Sequence, residues 1–143
     1  MNEDTNTIIR TFLLAQTTLT TVVSTRIYWP TLPENEALPA ISFNTRGGDS
    51  SPYIPKIVSP SVQFNCWAED TATMTGPVAA RQVYRALFDV LQGIQMQTVT
   101  VGSTNYIIHS AIEEVQGQDL QDIDIPTYYK VLTFFSIMIQ ADT

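Results

Sequence analysis

A chain of 143 residues, 44% hydrophobic and 10% aromatic, holds enough apolar material for one packed core, which excludes a disordered tail. Its formal charge of −7 and seven scattered basic residues exclude a surface built to grip nucleic-acid phosphates, which needs clustered Lys and Arg. The lone cysteine, Cys66, excludes an intrachain disulfide and a paired-cysteine zinc site, and no apolar run approaches the roughly 20 residues of a membrane span.

The opening Met1-Asn2-Glu3-Asp4 is acidic where a secretory leader is basic, so the expectation is a protein made and used without export, one domain over 1–143. Asp4, Thr5 or Asn6 can cap a first helix. Ile8, Phe12, Ala15 and Leu19 then fall at i, i+4, i+7 and i+11 on one apolar stripe. The Thr-rich run 17–25 opposes a continuous helix, because β-branched side chains lose freedom there; the run predicts a break and a short helical turn over Leu19–Val23. Arg26–Pro30 reads as a short extended piece stopped by proline, and Thr31–Pro39 as a Pro-punctuated loop. Ala40–Thr45 alternates with Ile41 and Phe43 on one face, the pattern of a strand. Arg46–Pro60, with Gly47-Gly48 and several serines and prolines, predicts a long flexible loop between paired strands.

Ser61–Leu91 carries two clean periods back to back. Val62, Phe64 and Cys66 alternate with Gln63, Asn65 and Trp67, a strand with one buried face. Glu69 and Asp70 then precede a helix, near the positive end of its dipole. Ala79, Val83, Ala86, Leu87, Val90 and Leu91 give its apolar stripe; Pro77 places its start near Thr75, and Gly93 stops it. Met96–Val101, Gly102-Ser103 and Thr104–Val115 predict a hairpin with a two-residue type II′ turn. Gln116–Pro126 is a polar, acidic loop. Thr127–Gln140 is a last strand, with Val131, Thr133, Phe135, Ile137 and Ile139 on one face and Leu132, Phe134 and Met138 on the other, so it is expected to be central or buried on both sides. The sum is an α+β fold: an antiparallel sheet of about four to five strands packed on a long central helix and one or two N-terminal helices.

Site chemistry is sparse. His109, the single histidine, shares a predicted strand face with Ile107, Ala111 and Glu113, but no motif supplies a nucleophile beside it. Glu113 and Glu114 are adjacent in a strand and point to opposite faces, which leaves them as solvated strand-end residues. Asp119, Asp122 and Asp124 lack the spacing and sixth-position glycine of a calcium loop. Arg46-Gly47-Gly48-Asp49 is a turn without the lysine and helix start of a phosphate loop. Cys66 lies on the buried side of its strand. The expectation is therefore no catalysis, no cofactor and no metal, and an interaction module instead. Its candidate interface residues are Trp29, Arg46, Tyr53, Lys56, Gln63, Asn65, Trp67, Asp119 and Asp122, the tryptophans standing off the main core face where hot spots occur.

The order of motifs resembles the tail-completion or tail-terminator proteins of long-tailed bacteriophages. The carriers are Arg26-Ile27-Tyr28, Leu32-Pro33, Leu38-Pro39-Ala40-Ile41-Ser42-Phe43, Val62–Ala68 with its helix, and Asp122 with Pro126 before a terminal strand. The acidic N-terminus and the loop Arg46–Pro60 depart from that pattern. The resemblance implies a hexameric ring, assembled in the host cytoplasm and sited in the virion tail or neck. Such a ring caps the tail tube protein, ends its polymerisation and meets a head-completion or neck protein, while DNA passes through without specific binding. The alternatives are another head–tail neck or connector component, or a small-ligand-binding or hydrolytic α+β domain using His109 with Glu113 or Asp119.

Overall fold

The structure, a computed structural model, describes residues 4–34, 37–50, 57–121 and 127–141. In chain order the elements are α1 (Thr5–Leu14), α2 (Thr17–Val23), β1 (Ile27–Tyr28), β2 (Ala40–Ser50), β3 (Ile57–Glu69), α3 (Gly76–Leu91), β4 (Gln95–Val101), β5 (Thr104–Gln121) and β6 (Tyr128–Ala141). The strands form one sheet in the order β1-β2-β3-β6-β5-β4. β1 runs parallel to β2, and the other neighbours are antiparallel.

This corrects the expected architecture. The sheet is mixed, six-stranded and curled into a half-barrel; strand makes up 51% and helix 27%, and the three helices are short. The sheet, and not a long central helix, is the frame. The physical reason lies in segments whose composition reads as loop but whose backbone stays in the ladder. β2 continues to Ser50 and β3 begins at Ile57, so most of the expected loop 46–60 is strand, and 51–56 lie outside the described residues. β5 likewise runs through Gln116–Gln121. Register shifts at Thr45/Gly48, Glu113/Val115 and Val115/Gln118 absorb the extra residues as bulges, which curl a sheet. Gly48 sits in one of them with φ +127, and a Cβ there would lie 2.2 Å from the Ser59 carbonyl oxygen, so only glycine lets β2 and β3 approach.

The helices form where caps and stripes place them. Asp4 caps α1, its carboxylate accepting from Asn6 N–H at 3.3 Å, and Ile8, Ile9, Phe12 and Leu13 are buried. The chain breaks at Ala15-Gln16, ahead of the Thr-rich run and not within it, which leaves Ala15 exposed and off the expected stripe; α2 then buries Leu19 and Val23. Its Thr21 hydroxyl bonds back to the Thr17 carbonyl at 2.7 Å, the local competition that keeps threonine-rich helices short. α3 starts after Thr75 with Pro77 in its first turn, and Gly76 N–H donates to Asp70 Oδ1 at 2.5 Å. It buries Ala80, Val83, Tyr84, Leu87, Val90 and Leu91.

The core lies between these helices and one sheet face. Phe43, Phe64 and Phe135 cross β2, β3 and β6 there, with ring centroids 5.5 Å and 5.8 Å apart. All three are fully buried, and Phe64→Ala would cost about 3–5 kcal/mol. β6 is central, with β3 on one edge and β5 on the other. Its second face is not buried as expected: Leu132 and Phe134 are half-buried and Met138 is exposed.

Candidate interaction face

Cross-strand register aligns a second set of side chains on the face away from the core. Ala40, Trp67 and Lys130 are in line, as are Ser42, Asn65 and Leu132, and Asn44, Gln63 and Phe134. The Trp67 indole Nε1–H donates to Ser42 Oγ at 2.8 Å, and Asn65 Nδ2 donates to the same oxygen at 3.3 Å. Gln63 Nε2 donates to Asn65 Oδ1 at 3.4 Å. Lys130 Nζ stands 5.0 Å above the Trp67 ring, and Tyr128 meets that ring edge-on at 6.5 Å. The row therefore fixes an indole in place with its polar edge satisfied and one face under a cation.

The same face continues toward the bulge in β2. The Arg46 guanidinium carbon lies 5.0 Å above the Phe134 ring. Ser61 Oγ donates to Glu114 Oε1 at 2.7 Å. With Val115 these residues frame a hollow of about 340 Å³. Ile112, Val115 and Met138 are exposed on the neighbouring strands. Apolar side chains held among fixed polar and cationic groups are what a protein partner can bury, and Trp and Arg are the residue types that dominate such contacts.

The structure brings together Arg46, Gln63, Asn65 and Trp67 of the expected interface residues. Trp29 is separate, 40% exposed just after β1 at the sheet's edge. Asp119 is on the other side, where Arg81 Nε donates to its Oδ1 at 2.8 Å in a surface ion pair worth about 0–1 kcal/mol. Tyr53, Lys56 and Asp122 lie outside the described residues. Ser42, Phe134 and Lys130 join the row without having been singled out; their signal is the register, which no single strand's pattern contains.

The carboxylates and histidine occupy other settings. Glu113 is not a solvated strand end: its Oε2 accepts from Tyr84 Oη at 2.6 Å and from Thr133 Oγ1 at 2.7 Å. The Tyr84 hydroxyl in turn accepts from Gly117 N–H at 3.3 Å. Burial, and then the hydrogen bond to the Glu113 carboxylate, push the Tyr84 pKa above its ordinary value. This cluster ties α3 to β5 and β6. Glu114 points the opposite way, to Ser61, as alternation requires. His109 does not share a face with both Ile107 and Ala111. A register shift between Ile108 and Ser110 makes it the extra residue, with Nε2 2.5 Å from Gln140 Oε1 and Nδ1 3.2 Å from Met96 Sδ. Cys66 is fully buried, and burial pushes its thiol pKa far up, away from reactivity. Among the described residues no three of His, Cys, Asp and Glu stand together as a metal requires, and no helix is long and apolar enough to cross a membrane.

No protein-family model matches the chain, and no curated protein matches it. Among solved structures, a chain from the virion of a native gene transfer agent particle superposes with a TM-score of 0.63 at 12% identity, covering 94% of this chain and 92% of that one. At that identity the likeness shows the fold, and it shows it along nearly the whole of both chains.

Proposed function

We propose that the chain is a structural protein of a phage-like virion and, within it, the tail terminator. In this reading six copies close a ring on the last ring of the tail tube protein, end its polymerisation and present the surface that a head-completion or neck protein joins. DNA passes through the ring without specific binding, and the chain performs no catalysis. The observation that carries the proposal is the fold shared over 94% of the chain with a component of a virion particle. The resemblance in motif order from Arg26-Ile27-Tyr28 to the terminal strand supports the terminator among such components. The uncovered face with Trp67, Lys130, Arg46 and Phe134 supplies a surface for a neighbouring copy or the tube.

Light scattering coupled to size exclusion tests the ring. A species of six chains supports it, and a chain that stays single at every concentration, with or without purified tail tubes, contradicts it. The same fold likeness also suits another neck or connector component. Particles with normal-length tails that fail to join heads when the chain is absent would assign it there.

A further inference from the structure

Among the described residues the sheet is open at both ends, and the two ends differ. β4 is the last strand on one side, and among the described residues only β5 pairs with it. On the other side β1 reaches only Ile41 and Ser42 of β2, and no other strand among the described residues pairs with the rest of that edge. The ladder of β4 with β5 closes on the turn Gly102-Ser103, so antiparallel alternation turns the backbone groups of Thr98 and Thr100 away from β5. Ile41 N–H donates to the Arg26 carbonyl at 2.9 Å, so the same alternation turns those of Thr45 away from β3.

Soluble proteins blunt open edges with lysine, proline or inward charge, or cover them with a helix; α1 packs beside β4 but leaves a groove along it. β4, Gln95-Met96-Gln97-Thr98-Val99-Thr100-Val101, contains no lysine, proline or charge. The groove beside it, of about 220 Å³ and bounded by Thr11 of α1 and by Ala15 and Gln16 just after it, leaves room for one or two side chains of an added strand.

We infer that β4 accepts the open half of β2 from a second copy of this chain, edge to edge. Charge selects that occupant. Copies carrying −7 repel except where neutral segments meet; β4 has no charged residue, and the open half of β2 balances Arg46 with Asp49. Donor and acceptor edges lie at opposite ends of one sheet, so the contact is head-to-tail and propagates until it closes. The inference rests on the ring reading and names the surface that closes the ring.

Thr98→Pro removes an outward N–H without removing a bond to β5, a position where an edge strand accepts proline. Thr45→Pro does the same on β2 and also removes the Thr45 Oγ1–H bond to Asn6 Oδ1 at 2.8 Å, a loss for which Thr45→Val is the control. Each proline variant, folded by circular dichroism, is expected to remain single, and an equimolar mixture of the two is expected to stop at two chains, because each keeps one competent edge. Amide exchange on the unmodified chain needs no variant: the Thr98 and Thr100 amides should slow by about tenfold or more on assembly. A ring whose Thr98 and Thr100 amides exchange as in the single chain, or a folded Thr98→Pro that still assembles, overturns the edge pairing and leaves the ring standing. An assembly that stops at two copies points to β4 on β4 and overturns the head-to-tail order. A chain that never assembles overturns both readings.

Discussion

The Trp67 indole donates to Ser42 Oγ at 2.8 Å across the β2–β3 register, on a sheet face that the core does not use. A tryptophan held this way is ordered without being a core residue. Trp67→Ala removes one hydrogen bond, the Lys130 contact and the edge contact with Tyr128, a cost to stability of about 2–3 kcal/mol. A core tryptophan would cost about 3–5 kcal/mol. The variant is expected to fold, with a slightly lower melting temperature, and to fail in binding to tail tubes or to its own copies. A variant that unfolds outright would return Trp67 to the core.

Tyr84→Phe removes the phenol that donates to Glu113 Oε2 at 2.6 Å and leaves Thr133 on the same oxygen. Denaturant midpoints should show a loss of about 1.5–3 kcal/mol at neutral pH, the range for hydrogen bonds to charged groups. The pH dependence has a definite sign. The folded-state pKa of Tyr84 is raised above its ordinary value of 10.0, so its contribution is complete below that value and is lost as pH rises through the folded one. The unmodified chain should lose stability on the alkaline side, and Tyr84→Phe should show a flatter curve there. Identical alkaline slopes would remove Tyr84 as the cause.

Gly76 opens α3 against the Tyr129 ring, and a Cβ at Gly76 would sit 2.2 Å from Tyr129 Cδ2. Alanine at this first helical position gains at most about 1 kcal/mol of propensity, whereas overpacking costs about 1–3 kcal/mol. Gly76→Ala is therefore expected to destabilise. Combined with Tyr129→Ala, its cost should shrink, and additivity in that double-mutant cycle would show that the ring is not the obstacle.

His109→Ala removes contacts to Gln140 and Met96 at a bulge and nothing else the structure records. It is expected to leave assembly and particle infectivity intact. Loss of a function without loss of fold would revive the ligand-binding or hydrolytic alternative.

Periodicity was enough wherever one strand or helix buries one face by itself. Val62, Phe64 and Cys66 alternate against Val83, Leu87 and Leu91 at helical spacing, and all six are buried. The cap of α1 was legible to within Asp4, Thr5 and Asn6 because caps act locally, whereas the break expected from the Thr-rich run falls before it, at Ala15-Gln16, and the run itself forms α2. The sheet's extent was not legible. Gly47-Gly48, Pro60 and Gly117 are loop residues by composition, but bulges admit them to a ladder whose partner is distant in sequence. The interaction face was half legible: alternation put Gln63, Asn65 and Trp67 outward, while Lys130 and Phe134 joined them only through the β3–β6 register. Glu113 was misread because its partners Tyr84 and Thr133 come from two other elements.

Electron microscopy of particles produced from a genome lacking this chain tests the terminator assignment most directly. Tail-tube polymerisation without a cap should run past its normal stop, giving overlong tails of scattered length that carry no heads. Tails of uniform normal length would contradict the assignment.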